Sequence, residues 1–303
     1  MPRTYYGPAG ENNSTYSNSG NANLGRWELG SYLILPDQRK YCFALNDGTV
    51  EVAGDLYQSV AGLSGHTNRA ADVARAAGVA LLSATLATTA AADDIYAEGI
   101  AHVNAAPGEG YSYRIRRANT VEAAHADAVA TGVLTVNLQA GETVQIALTT
   151  ASNITFTRNR FHQILLTAAP PTAGLAGVSP GVAAADRFYW SQVRGYAAVL
   201  ADGTLLEGLP VMASIGTAGA VENMKRRVRT GGTVTVVGTT AGRYPLTDQD
   251  GGIVVGVLSD LTTSGTNIDI SGGIAANAPL VGQCIKANAT AEIALIDLQL
   301  SAS

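Results

Sequence analysis

Aromatic residues are scarce in this 303-residue chain, 6% of the whole, and charged residues make up only 14%, yet hydrophobic residues reach 47%. The apolar content is therefore mostly small aliphatic, interleaved with Thr and 34 Gly. That balance disfavours a charge-laced helical protein and suits many short strands joined by Gly-rich turns. Only two cysteines occur, Cys42 and Cys284, each inside a strand-like run. A disulfide framework is excluded, and two buried free thiols are expected. A net charge of −5 leaves little basic surface to neutralise phosphates, so no nucleic-acid partner is expected. The opening MPRTYYGPAGENN has no apolar stretch of the kind a secretory signal carries. The uncharged run Ala76 to Ala92 is Ala and Thr with few large apolar residues. No membrane partner is expected, and synthesis in a cytoplasm is.

What is present is strand and turn chemistry, in a length that accommodates about two domains. Period-two patterning runs through Tyr41, Phe43 and Leu45; through Leu134, Val136 and Leu138; through Val144, Ile146 and Leu148; through Ile268 and Ile270; and through Ile296, Leu298 and Leu300. Each reads as a half-buried strand. Asp-Gly pairs at Asp47-Gly48, Asp202-Gly203 and Asp250-Gly251 separate apolar runs and predict short hairpins. Two segments share a strand, Asp-Gly-Thr, strand pattern, FALNDGTVEV and AVLADGTLLEG, and convergence on good turn chemistry explains them without a duplication. Thr67 to Ala77, and an Ala-rich run from a capping box at Asn119 and Glu122 to Gly132, are the helical candidates.

The expected fold class is mainly β: a multi-lobed chain of short antiparallel strands and hairpins, with few short helices, an extended N-terminal arm and a small barrel-like C-terminal domain. Residues 1–25 form the polar arm, 26–168 a β-rich domain, 169–185 a Pro/Gly linker and 186–303 a barrel- or sandwich-like domain. The arm has almost nothing to bury, so it is either a floppy tail or ordered only along a large partner surface. Tyr5, Tyr6 and Tyr16 favour docking, because Tyr supplies amphipathic contact area at low entropic cost.

Each candidate for catalysis fails on a stated point. Gly177-Val178-Ser179-Pro180-Gly181 matches G-x-S-x-G, but Pro180 has no N–H to complete an oxyanion hole, and no histidine follows His162. His66, His102, His125 and His162 are scattered, without zinc-ligand spacing; solvent-facing or hydrogen-bonded histidines are the expectation, and no metal. Asp248-Gln249-Asp250-Gly251 opens like a calcium loop, but Ser259 stands where the twelfth-position carboxylate belongs. No phosphate-binding glycine motif and no cofactor site is present. The chain therefore reads as no enzyme. Two basic clusters, Arg114, Arg116 and Arg117, and Lys225, Arg226, Arg227 and Arg229, stand out in so weakly charged a sequence. They form either a solvated strand face with internal ion pairs or a docking site for an acidic partner.

The segment DRFYWSQVRGYAAVLADGTLLEGLPV, Asp186 to Val211, resembles a stretch of head structural proteins of tailed bacteriophages. The C-terminal run from GGIVVGVLSD to ATAEIALIDLQL is similar to the barrel ending of capsid decoration, or cement, proteins, and the likeness of layout covers most of residues 24 to 303. The resemblance implies a virion protein on the capsid surface that binds the major capsid protein and stabilises the shell, most often as a trimer, with no catalytic residue to carry over. A tail or head-fibre adhesin for host glycans is the other reading, and would need exposed aromatic platforms. A β-rich polysaccharide hydrolase ranks behind both.

Overall fold

The computed structural model describes residues 4–17, 27–87, 91, 95–116, 132–224, 263–264, 267–268, 278–288 and 292–300. Among them are twenty strands, one 3-10 turn at Glu11–Asn13 and no α-helix. The mainly-β expectation holds. The chain divides into one unit of residues 1–223 with 278–303, and another of residues 224–277. In the second unit the described elements are the paired strands Thr263–Ser264 and Asn267–Ile268.

The main sheet of the first unit is organised by one long strand, Arg187–Leu200. Its first half pairs antiparallel with Lys40–Leu45, and its second half with Ile293–Gln299. Outward from these lie Tyr32–Ile34 and the edge strand Thr4–Tyr6 on one side, and Leu280–Lys286, Pro210–Ala213 and Val221–Asn223 on the other. Among the described residues the sheet is open at both edges rather than a closed barrel. Its hairpins are real, as at Leu280–Lys286 with Ile293–Gln299. Its organising pairs, however, join residues from Leu200 with Ile293 to Arg194 with Lys40, separations in sequence that no turn motif encodes.

The core of this sheet is aromatic despite the scarcity of aromatics. Trp190 is fully buried, with its ring edge-on to Phe43 at 5.0 Å and to Trp27 at 5.7 Å, while Phe43 stacks on Phe188 at 5.3 Å. Cys42 and Cys284 are buried free thiols, as expected. Strand Lys40–Leu45 is buried on both faces from Tyr41 to Leu45, so the alternation of large and small residues there packs two layers rather than a core and solvent. Strand Ile293–Gln299 keeps the half-buried pattern, with Ala294, Ile296 and Leu298 inward.

A second core lies in the stretch between strands Leu56–Gln58 and Leu165–Leu166. It combines the four-stranded sheet of Arg69–Ala70, Asn153–Thr157, Ile100–Ala105 and Ser112–Arg114 with the pair Leu81–Thr85 and Val133–Asn137. Leu134 and Val136 point into it, as the alternation predicts. Val144 to Leu148 does not form a strand: Val144 and Leu148 are buried through irregular backbone and Ile146 is exposed, and the segment is tied to its neighbours by a bridge from Arg75 to Leu148 and by backbone hydrogen bonds of Val144 with Gly78 and Val79.

Three further expectations are corrected. Thr67 to Ala77 is not a helix; it contains the short strand Arg69–Ala70 and turns, because bridges from Ala71 to Ala84 and from Arg75 to Leu148 outcompete alanine propensity. Residues 169–185 are not a linker between domains, since Leu175–Val178 is a fully buried strand hydrogen-bonded both to Leu56–Gln58 and to the long strand. Residues 186–303 are accordingly not a domain apart from 26–168, for the long strand belongs to one sheet with Lys40–Leu45. The second helical candidate falls mainly outside the described residues.

Candidate docking surfaces and buried polar sites

The N-terminal arm lies on the protein's own sheet. Thr4–Tyr6 pairs in parallel with Tyr32–Ile34, and Tyr16 pairs through its backbone with Phe188. Tyr5 is half-buried against Trp27, ring centroids 4.7 Å apart, whereas Tyr6 is 76% exposed. A partner surface is thus not needed to order residues 4–17: backbone pairing and one aromatic contact offset the entropy of holding them.

The basic clusters divide. Arg114 is tied into the fold, its Nη2 3.2 Å from Glu28 Oε2 and its backbone N–H donating to Glu142 Oε2 at 2.6 Å. Arg116 is half-buried, and its N–H donates to Asn137 O at 2.8 Å. For Arg114 the ion-pair reading is the one observed. Arg117, Lys225, Arg226, Arg227 and Arg229 lie outside the described residues.

An exposed apolar face is found where charge-based reasoning did not look. Strands Arg187–Leu200 and Ile293–Gln299 place Ala197 opposite Ile296 and Val199 opposite Ala294 on the inner face. On the outer face Ala198 stands opposite Leu295, Leu200 opposite Ile293, and Tyr196 opposite Asp297. Tyr196 is 58% exposed, and Ile293 and Leu295 are exposed as well. The near-continuous apolar run IALI carried the signal, since a strand apolar on both faces has a second face to cover.

Next to this face the segment 46–54 reverses the usual alternation. Glu51 is 1% exposed, whereas its neighbours Val50 and Val52 are 60% and 54% exposed. The Glu51 N–H donates to Ala183 O at 2.8 Å, and beside that bridge Val182 is exposed too. Asp47 shapes the turn through its side chain, Oδ1 accepting from the Thr49 N–H at 2.9 Å, so a tight two-residue hairpin does not form at Asp47-Gly48. The segment meets the outer face at Gly54, whose carbonyl accepts from Leu200 N–H at 2.9 Å and where a Cβ would stand 2.7 Å from Ile293 Cδ1.

The Glu51 carboxyl has no hydrogen-bond partner on either oxygen. The Tyr189 and Ser179 hydroxyls stand beside it and favour its charged form, but neither is aligned in a hydrogen bond to it. Ser179 Oγ instead donates to Gly181 O at 2.6 Å, and the Tyr189 hydroxyl has no partner. Burial dominates and, with help from the negative charges of Asp47 and Asp55, pushes Glu51 up to about 8. Sequence patterning pointed the wrong way here, since V-E-V reads as two inward valines around an outward Glu.

Ser179 is itself fully buried at the end of the strand Leu175–Val178, followed by irregular backbone and no helix, so the G-x-S-x-G resemblance is one of letters. Of the histidines, His66 is buried with Nδ1 2.5 Å from the Tyr96 hydroxyl. His162 is buried with no partner on Nδ1, and burial together with Arg158 pushes it down to about 4. His102 is half-buried, and His125 lies outside the described residues. Among the described residues, no cluster of His, Cys, Asp and Glu is arranged to hold a metal ion. Comparison with protein-family models, with curated proteins and with solved structures finds no match.

Proposed function

We propose that this protein is a structural component that works by covering a partner surface, as a decoration or cement protein on the outside of a bacteriophage capsid. The observation that carries the reading is the outer face of strands Arg187–Leu200 and Ile293–Gln299, where Tyr196, Ala198, Ile293 and Leu295 lie side by side and exposed. Adjacent exposed apolar residues on a flat sheet face are a common form of protein interaction site. The edge strands and Tyr6 add further contact surface. The identity of the partner, the major capsid protein, and a trimeric arrangement come from the resemblance of residues 186–211 and of the C-terminal run to phage head proteins.

The stabilisation would be mass action: a protein that binds the assembled shell and not its dissociated parts shifts the equilibrium toward the shell. The glycan-adhesin reading is less well supported, because Trp190 is fully buried and Trp27 packs against it. Co-sedimentation of purified protein with expanded heads that lack it, followed by heat challenge of the decorated and bare particles, tests the proposal. Binding with a gain in heat resistance is expected. No binding, together with equal heat resistance, would end it.

A further inference from the structure

We propose that segment 46–54 is a proton-operated latch: a buried, uncharged Glu51 seats it on the loop 179–183, and loss of the Glu51 proton releases it. The device is a property of the chain alone and does not depend on the capsid reading.

The geometry has three parts. The first is a carboxyl with 1% exposure and no hydrogen-bond partner, a site that suits a neutral acid and penalises an ion. The second is the slight attachment of the segment's tip. Beyond Asp47, its backbone ties to the loop are the Glu51 N–H to Ala183 O and the Gly54 N–H to Ser179 O, at 2.8 and 2.9 Å. The third is a ready alternative. Val50 and Val52 flank Glu51 on the exposed side, so turning the strand over sends the carboxylate to water and brings two valines inward. Each arrangement buries something, which is what a two-state element requires.

Of the groups around Glu51, the two aspartates favour its release once it is charged, against the Tyr189 and Ser179 hydroxyls, which favour the charge in place. Asp47 and Asp55, on its own stretch of chain, repel a carboxylate. Tyr57, on Leu56–Gln58, and Tyr189, on the long strand, face it as hydroxyls; the first is engaged by the Val52 N–H at 2.9 Å. The Ser179 hydroxyl is already donated to Gly181 O. Release would also alter the apolar surface of Val50, Val52 and Val182, so the latch would make that surface depend on pH.

Two measurements on the full chain test the latch. The carboxyl carbon of Glu51, followed by NMR in Glu-labelled protein, is expected to titrate near 8, and a midpoint below about 6 would overturn the proposal. Hydrogen exchange of peptide 46–54, corrected for intrinsic rates, is expected to quicken about tenfold from about pH 7 to about pH 9 in the wild type. In Glu51→Gln, which keeps the shape without the titration, the change should stay below about twofold. Equal pH responses in the two proteins would also overturn it. Should Glu51→Gln not fold, the NMR midpoint decides.

Discussion

Gly177 and Ser191 meet across adjacent strands so closely that a Cβ on residue 177 would overlap the Ser191 hydroxyl and stand 2.8 Å from Gln192 O. Gly177 also has φ +142°, a backbone conformation side chains rarely adopt. The first glycine of the G-x-S-x-G match is thus a packing requirement of the strand that ties Leu56–Gln58 to the long strand. Gly177→Ala should cost about 2 to 4 kcal/mol, from strain and overlap together. Denaturant unfolding measures it, and a loss below about 0.5 kcal/mol would show that the strands separate without penalty.

Trp190 anchors the aromatic cluster with Phe43, Phe188 and Trp27. Trp190→Ala should destabilise the protein by about 3 to 5 kcal/mol, because the surrounding rings cannot collapse into so large a space. Trp27→Ala should cost clearly less, since Trp27 is only half-buried. Thermal unfolding of both variants checks the order, and the reverse ranking would contradict the packing described.

Stability should fall between about pH 6.5 and pH 8. Glu51 is near 8 when folded against an ordinary 4.5, so the folded protein keeps a proton that the unfolded chain has released, and stability declines across that window. His162 is near 4 against an ordinary 6.5, so its neutral form contributes stability that is fully present above 6.5 and lost as pH falls toward 4. The two slopes oppose each other between about 4.5 and 6.5, which leaves Glu51 alone above that. The net decline is up to about 2 kcal/mol, and Glu51→Gln should remove it. Denaturation midpoints taken across the range read the effect directly.

Arg114→Ser should lower stability by about 1 kcal/mol, through loss of the partly buried pair with Glu28. Particle binding should be unchanged once the loss of fold is allowed for. Binding lost at full stability would instead make Arg114 a contact residue.

Leu295→Asp should cost about 1 kcal/mol or less in unfolding experiments, because the side chain faces out and Lys286 stands opposite it in the register. Under the proposed function it should weaken particle binding at least about tenfold, the cost of placing a charge in the centre of an apolar contact. Undiminished binding would move the docking surface off this face.

Local chemistry was legible in the chain and long-range pairing was not. Alternation at Leu134 to Leu138 and at Ile296 to Leu300, two buried thiols and a strand-built architecture all follow from side-chain type at short spacing, where period two and apolar content act directly. Residues 169–185, rich in Pro and Gly, read as a boundary because composition reports backbone freedom and not what lies beside the backbone. Leu175–Val178 nonetheless became a buried strand, since Leu56–Gln58 and Arg187–Leu200 supply hydrogen bonds on both of its sides. Glu51 shows the same limit at one residue. Its V-E-V surroundings specify a strand, but the bridge to Ala183 decides which face is inside, and that contact spans more than a hundred positions of sequence. The sequence determined strands, turns and the lack of a recognisable catalytic motif; the tertiary structure decided which apolar face stays exposed and which carboxyl is held away from water.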